Sequence, residues 1–420
     1  MMSINQFPPV AADVRCLQNE PHSSTQIVAP KDSSRHARTL DTMCPFSQFL
    51  VALALAVALL PVIGAAAGDR GTRYAGVFSF GDSLTDTGNS LHLAATRAGP
   101  SSRPPYGETF FRRPTGRASD GRLVVDFIAE ALGVPHPTPY LAGKSAEDFR
   151  RGVNFAVGGA TALGPDFFES RGLKPFVPVS FTNQATWFKN VLQLLGSVHN
   201  RTRIMATSLF IVGEIGVNDY LVAFAGNTTV EEARAFVPHI VGAVRSVVTE
   251  VIAAGARTVL VPGMIPLGCE PQLLALYQSG DHDPASGCIK PLNNLAELHN
   301  RALNGMLREL RRAHPGTAIL YADLYGAVAD LIVSPRKYGF RDEPLAACCG
   351  GSGVYNFNMT AFCGAAGTAA CADPSEYVSW DGVHFTEAAN RHTACATLKA
   401  NSPALLSSWT AEARRRIGCA

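Results

Sequence analysis

The sequence predicts an α/β protein with a parallel sheet covered by helices on both faces. Three observations carry this expectation. Short apolar runs of strand length recur, segments with helical spacing separate them, and no linker-like break or internal repeat divides residues 70–420. Parallel strands need a long crossover, and a helix supplies one, so alternation of this kind points to a parallel sheet. With 47% hydrophobic and 17% charged residues in 420, the chain can bury a large core and is not a disordered one.

Residues 1–42 are polar and lack apolar periodicity, whereas Phe49 to Gly68 is almost wholly apolar. Ala65-Ala66-Ala67 supplies the small residues a signal peptidase requires, and Pro61 would interrupt a spanning helix. The expected organisation is an N-terminal extension plus cleaved signal peptide over 1–67, then a single domain over 68–420. A signal anchor is the alternative, since about 20 apolar residues can span a bilayer. Met43 lies just upstream and is an alternative start.

The run ending at Phe80 reads as the first buried strand, and Gly81-Asp82-Ser83 breaks it. Residues 96–121, rich in Pro, Gly, Ser and Arg, read as a long surface loop. Leu123–Leu132 has helical spacing and is stopped by Gly133 and Pro135. Gly152–Val157 is a short strand entering Gly158-Gly159. The spacing over 182–199 predicts an amphipathic helix with Trp187, Phe188, Val191, Leu192 and Leu195 inward. Ser208–Val212 is the next buried strand. A helix over about 231–254 follows, with Thr229 and Glu232 as capping box and Gly255 as stop. Thr258–Val261 and Ala318–Tyr321 are further strands, 291–313 and 323–333 further helices. Residues 335–380 read as irregular and disulfide-pinned, and a closing helix begins near Thr386.

Two of the ten cysteines, Cys16 and Cys44, precede the cleavage point. The remaining eight contain no Cys-x-x-Cys, so zinc-ribbon and thioredoxin chemistry are not indicated. Behind a secretory leader they read as structural disulfides. Cys269 with Cys288 would close one local loop and the 348–371 cluster another, with the pairing left open. Sequons at Asn200, Asn227 and Asn358 agree with secretion and mark candidate glycosylation sites. A net charge of +2 gives no electrostatic case for nucleic acid, and Arg414-Arg415-Arg416 reads as a solvated helix end.

A serine at the end of a buried parallel strand lies on the edge where α/β sheets bind ligands. To act as a nucleophile, Ser83 needs a base, a group to orient that base, and donors for an oxyanion. His384 stands in a loop opening a helix, with Asp381 three residues earlier, where a tight turn sets carboxylate against imidazole. The Ser83 and Gly159 N–H groups and the Asn218 amide are the candidate donors. There is no Gly-x-Ser-x-Gly, Walker A, Gly-x-Gly-x-x-Gly or His-Glu-x-x-His, so neither nucleotide nor metal chemistry has positive support.

Four ordered blocks then carry a resemblance: Phe80–Asn89, Asn154–Thr161, Gly216–Tyr220 and Trp380–Ala389, joined by Pro266–Glu270 and Cys348–Gly351. Together they resemble the SGNH hydrolase superfamily in its plant GDSL esterase/lipase branch. The resemblance implies a three-layer αβα fold with a central parallel sheet, flavodoxin-like in type. It implies Ser83 as nucleophile, His384 as base and Asp381 as orienting partner, with Ser83, Gly159 and Asn218 forming the oxyanion hole. It selects Gly159 over Gly158. Cys395 and Cys419 fall outside its pattern.

The function expected is a secreted serine esterase or lipase acting through an acyl-enzyme, without cofactor or metal. Its substrate would be a small-molecule or polysaccharide ester, and a membrane would be involved only if residues 49–68 stay uncleaved. Two alternatives differ in class. An acyltransferase would pass the acyl group to an alcohol, and a glycan-binding wall protein would not react with a fluorophosphonate. The loops 96–121, 164–180 and 264–290 are expected to line the pocket, and they carry no recognisable substrate code.

Overall fold

The computed structural model describes residues 74–278, 281–406 and 410–419. The expectations placed on residues 1–67, including the leader and its cleavage, lie outside the described residues. Six strands form one sheet: β1 (Val77–Phe80), β2 (Thr138–Pro139), β3 (Gly152–Asn154), β4 (Leu209–Val212), β5 (Thr258–Pro262) and β6 (Ala318–Ala322). Their order is β2-β3-β1-β4-β5-β6, and every pairing is parallel. β1 and β4 are buried along their whole length, which is why their sequences are near-continuous apolar runs and not alternating ones. In register across that pair, Phe78 stacks on Phe210 at 5.2 Å. Phe80 stacks on Phe155 at 4.8 Å. The one polar residue of β1, Ser79, accepts a hydrogen bond from Asn154 Nδ2 at 2.8 Å and so is buried without loss.

The principal helices are α1 (Val124–Leu132), α2 (Phe181–Leu194), α3 (Val217–Ala225), α4 (Val237–Ala253), α5 (Lys290–Ala313), α6 (Leu324–Val333), α7 (Glu387–Ala400) and α8 (Ala411–Ile417). α4 packs on α2 and α5, whereas α7 packs on α1, α6 and α8. Two such helical layers around one parallel sheet are the three-layer αβα arrangement expected. Phe188 of α2 meets Phe80 and Phe210 edge-on at 5.7 and 6.0 Å, tying that layer to the sheet.

Local detail departs from expectation in four places. The helix expected over 182–199 stops at Leu194, because Gly196 adopts φ +88°, and a separate helix starts after Ser197. The helix expected over 231–254 is split: the Thr229–Glu232 box caps only the turn Val230–Ala233, and Pro238 sits in the first turn of α4. Strand β2 was not anticipated; it is two residues long and carries a proline, which only an edge position tolerates. Finally, α3, which carries Asn218, was not anticipated. Cys395 pairs with Cys419, in line with the reading of the eight cysteines as structural disulfides, and ties α7 to the end of α8.

Setting aside the edge strand β2, the remaining order is that of the flavodoxin-like sheets, in which β1 marks the point where strand order reverses. The turns leaving β3, β1 and β4 therefore emerge side by side at the carboxyl end of the sheet. They carry Gly158–Gly159, Asp82–Ser83 and Asn218, in that order.

Candidate active site

Ser83 Oγ lies 2.8 Å from His384 Nε2, and His384 Nδ1 lies 2.7 Å from Asp381 Oδ2. A carboxylate only accepts, so Nδ1 carries the hydrogen and Nε2 is left to accept the Ser83 hydroxyl. The Asp381–His384 loop is held on three sides. Trp380 N–H donates to His384 O at 2.7 Å, closing the turn. Cys348 and Cys349 N–H donate to Ser379 and Trp380 O, and Gln272 N–H donates to Gly382 O. The irregular segment before it is pinned by Cys348–Cys371 and Cys349–Cys363.

Asp381 Oδ1 accepts the backbone N–H groups of Val383 (3.0 Å) and His384 (2.8 Å). Burial alone would raise the Asp381 carboxyl, but the His384 charge and these hydrogen bonds, with one from Tyr106, hold it below the usual carboxylate range. Burial opposes charge on His384, yet the Asp381 carboxylate and, more weakly, Asp82 keep its ring above the ordinary histidine value.

The donor side is equally specific. Gly158 N–H is occupied, donating to Asp86 Oδ2 at 2.9 Å and to Ser90 Oγ at 3.2 Å. Among the described residues, the N–H groups of Ser83 and Gly159 donate to no protein acceptor. Gly159 has φ +82°, a conformation that a side chain would strain. Asn218 Nδ2 sits 3.0 Å from Asp82 Oδ2 and 3.1 Å from Ala160 O, which fixes the orientation of its amide. Ser83, Gly159, Asn218 and His384 all border one cleft of about 440 Å³.

Each expected catalytic and oxyanion residue, Asp381 included, thus lies at this cleft. The expected loops contribute Thr96, Pro100, Phe176 and Gln272 to its walls, and the irregular segment adds Phe362. Sequence reasoning missed Tyr106, whose hydroxyl donates to Asp381 Oδ2 at 2.7 Å. A tyrosine between Pro105 and Gly107, the one aromatic of the 96–121 loop with a hydroxyl, was the available cue. It also missed Asp86, and a run of Asp, Thr and Asn directly after a buried strand was the cue there.

Close to the Ser83 turn lies a set of buried acids. Burial pushes Asp82 and Asp219 up to about 7 each, even though both accept hydrogen bonds. Burial likewise carries Glu214 and Glu270 well above the usual range, and their carboxyl oxygens have no hydrogen-bond partner among the described residues. The candidate glycosylation residues Asn200 and Asn227 are exposed and Asn358 is half-buried. Among the described residues, no group of three or more His, Cys, Asp or Glu side chains is placed to hold a metal ion.

Residues 77–396 match the family described as GDSL-like lipase/acylhydrolase. A GDSL esterase/lipase of Arabidopsis thaliana is 45% identical over 318 residues, covering 74% of this chain and 81% of the relative. A second Arabidopsis GDSL esterase/lipase is 46% identical over 321 residues, covering 75% and 79%. The sinapine esterase of Brassica napus is 44% identical over 329 residues, covering 77% and 84%.

Proposed function

The chain belongs to the GDSL lipase/acylhydrolase family and is a carboxylic ester hydrolase, and from that premise we propose that it works through Ser83, His384 and Asp381 by an acyl-enzyme. The observation that carries the reading is the unbroken chain of hydrogen bonds, 2.8 Å from serine to imidazole and 2.7 Å from imidazole to carboxylate.

His384 Nε2 takes the Ser83 proton as Oγ attacks the ester carbonyl, and the imidazolium formed is stabilised by Asp381. The proton then passes to the leaving alcohol oxygen as its bond to the acyl carbon breaks. Water, activated by the same nitrogen, attacks the acyl-enzyme and releases the acid. The N–H groups of Ser83 and Gly159, free of protein acceptors, would receive the negative oxygen, and the Asn218 amide would join them by giving up its contact with Asp82 or Ala160.

The cleft falls in the size range of small-molecule sites, and its walls mix apolar side chains with Ser and Thr hydroxyls. Esters of lipids, of acylated plant metabolites and of wall polysaccharide all remain within this reading. The four disulfides among the described residues fit an oxidising compartment. We read residues 68–420 as one secreted catalytic domain, glycosylated at Asn200, Asn227 and Asn358.

Ser83→Ala should abolish p-nitrophenyl acetate hydrolysis with the fold intact, and retained turnover would overturn the assignment. A panel of p-nitrophenyl esters of rising chain length, sinapine and acetylated xylan then ranks the substrate classes.

A further inference from the structure

We propose that Tyr106 is a positioning residue of this triad, its hydroxyl holding the Asp381 carboxylate in the rotation that faces His384. The inference rests on the triad reading above. Tyr106 Oη donates at 2.7 Å to Asp381 Oδ2, the same oxygen that His384 Nδ1 addresses. Since Oδ1 is already held by two backbone N–H groups, all four contacts together leave the carboxylate one orientation.

Tyr106 is only 1% exposed, and its ring meets Trp380 edge-on at 5.8 Å. It packs in a small cluster with Trp380 and the half-cystines Cys348, Cys349 and Cys363. Its backbone is fixed as well. Tyr106 N–H donates to Arg103 O, and Gly107 N–H donates to Ser119 O at 3.0 Å. The same loop is anchored to α1 by the two-pronged Arg117–Asp126 pair, both contacts at 2.7 Å. The hydroxyl therefore reaches Asp381 from a braced support.

The neighbouring stretch Gly99–Ser101 lines the cleft, so one loop both borders the substrate and braces the acid. The hydroxyl also draws charge from Oδ2. Removing it strengthens the hold of Asp381 on the His384 proton, so the ring should stay charged to higher pH.

The experiment compares wild type, Tyr106→Phe, Tyr106→Leu and Ser83→Ala, using p-nitrophenyl acetate. Fluorophosphonate titration of Ser83 counts the competent sites, and circular dichroism follows folding. For Tyr106→Phe the expected result is an undiminished fold, kcat down about tenfold with KM little changed, and the acidic limb of kcat/KM moved to higher pH. Tyr106→Leu should show a kcat no better than Phe, with a lower Tm. A Phe variant with wild-type kcat and limb, beside a defective Leu variant, assigns the ring a packing role only and overturns the proposal. Turnover retained by Ser83→Ala instead sinks the triad reading itself.

Discussion

Asp86 and Gly158 are joined by a 2.9 Å hydrogen bond between the Asp86 carboxylate and the Gly158 N–H. This contact decides which glycine of the pair can serve an oxyanion. Asp86 also receives the N–H groups of Gly88, Asn89 and Ser90 and the Ser90 hydroxyl. One buried carboxylate thus ties the nucleophile turn after β1 to the glycine turn after β3.

Asp86→Ala should accordingly cut kcat by about 10²-fold, the scale of losing an oxyanion donor, because the turn that carries Gly159 would lose its tie to the turn that carries Ser83. Asn218→Ala should fall by a similar factor. Steady-state kinetics on folded protein checks both, and an Asp86→Ala enzyme of wild-type kcat removes the staple from the mechanism.

In the proposed mechanism activity depends on neutral His384. Asp381 holds that ring above the ordinary value of 6.5, so its proton leaves later as pH rises. The acidic limb of kcat/KM should lie above 6.5 and activity should climb through neutrality. A limb well below 6.5 contradicts the coupling to Asp381.

Stability should move the opposite way. Asp82 and Asp219 titrate near 7 in the fold but near 3.8 unfolded, and Glu214 and Glu270 are raised well beyond 4.5. The native state thus binds more protons than the unfolded chain between about pH 4 and 7, and stability is lost as pH rises through that window. Asp120, pushed up to about 6 by burial, and buried Asp86, also raised, act in the same sense, whereas buried His299, pushed down to about 4, and half-buried His392, also lowered, act in the contrary one, so the raised acids outnumber the lowered histidines. Thermal melts should therefore give a higher Tm at pH 5 than at pH 8. Glu214→Gln, an uncharged mimic of the protonated acid, should narrow that difference, and an unchanged pH dependence refutes its contribution.

The Cys349–Cys363 bridge closes a short loop beside Trp380 and Tyr106. A loop of this size contributes about 3 kcal/mol in the chain-entropy account. The paired serine variant should lose activity at temperatures where far-ultraviolet circular dichroism still reports a folded sheet, because Asp381 hangs from this segment and the sheet does not. Simultaneous loss of both signals would place the bridge in the core instead.

Residue order alone determined the strands β1, β3, β4, β5 and β6, the helices α1, α2, α4, α5, α6 and α7, and the candidate set Ser83, His384 and Asp381. These depend on local features: apolar runs of strand length, helical spacing, and a carboxylate three residues before a histidine. The pairing of Cys395 with Cys419, the edge strand β2, the occupancy of Gly158 by Asp86 and the approach of Tyr106 to Asp381 were decided by tertiary structure. Tyr106 and Asp381 lie 275 positions apart, and no local propensity encodes a contact at that distance. It arises because a parallel sheet delivers its loops to one edge, where the burial of each polar group is tolerated only with a partner from another loop.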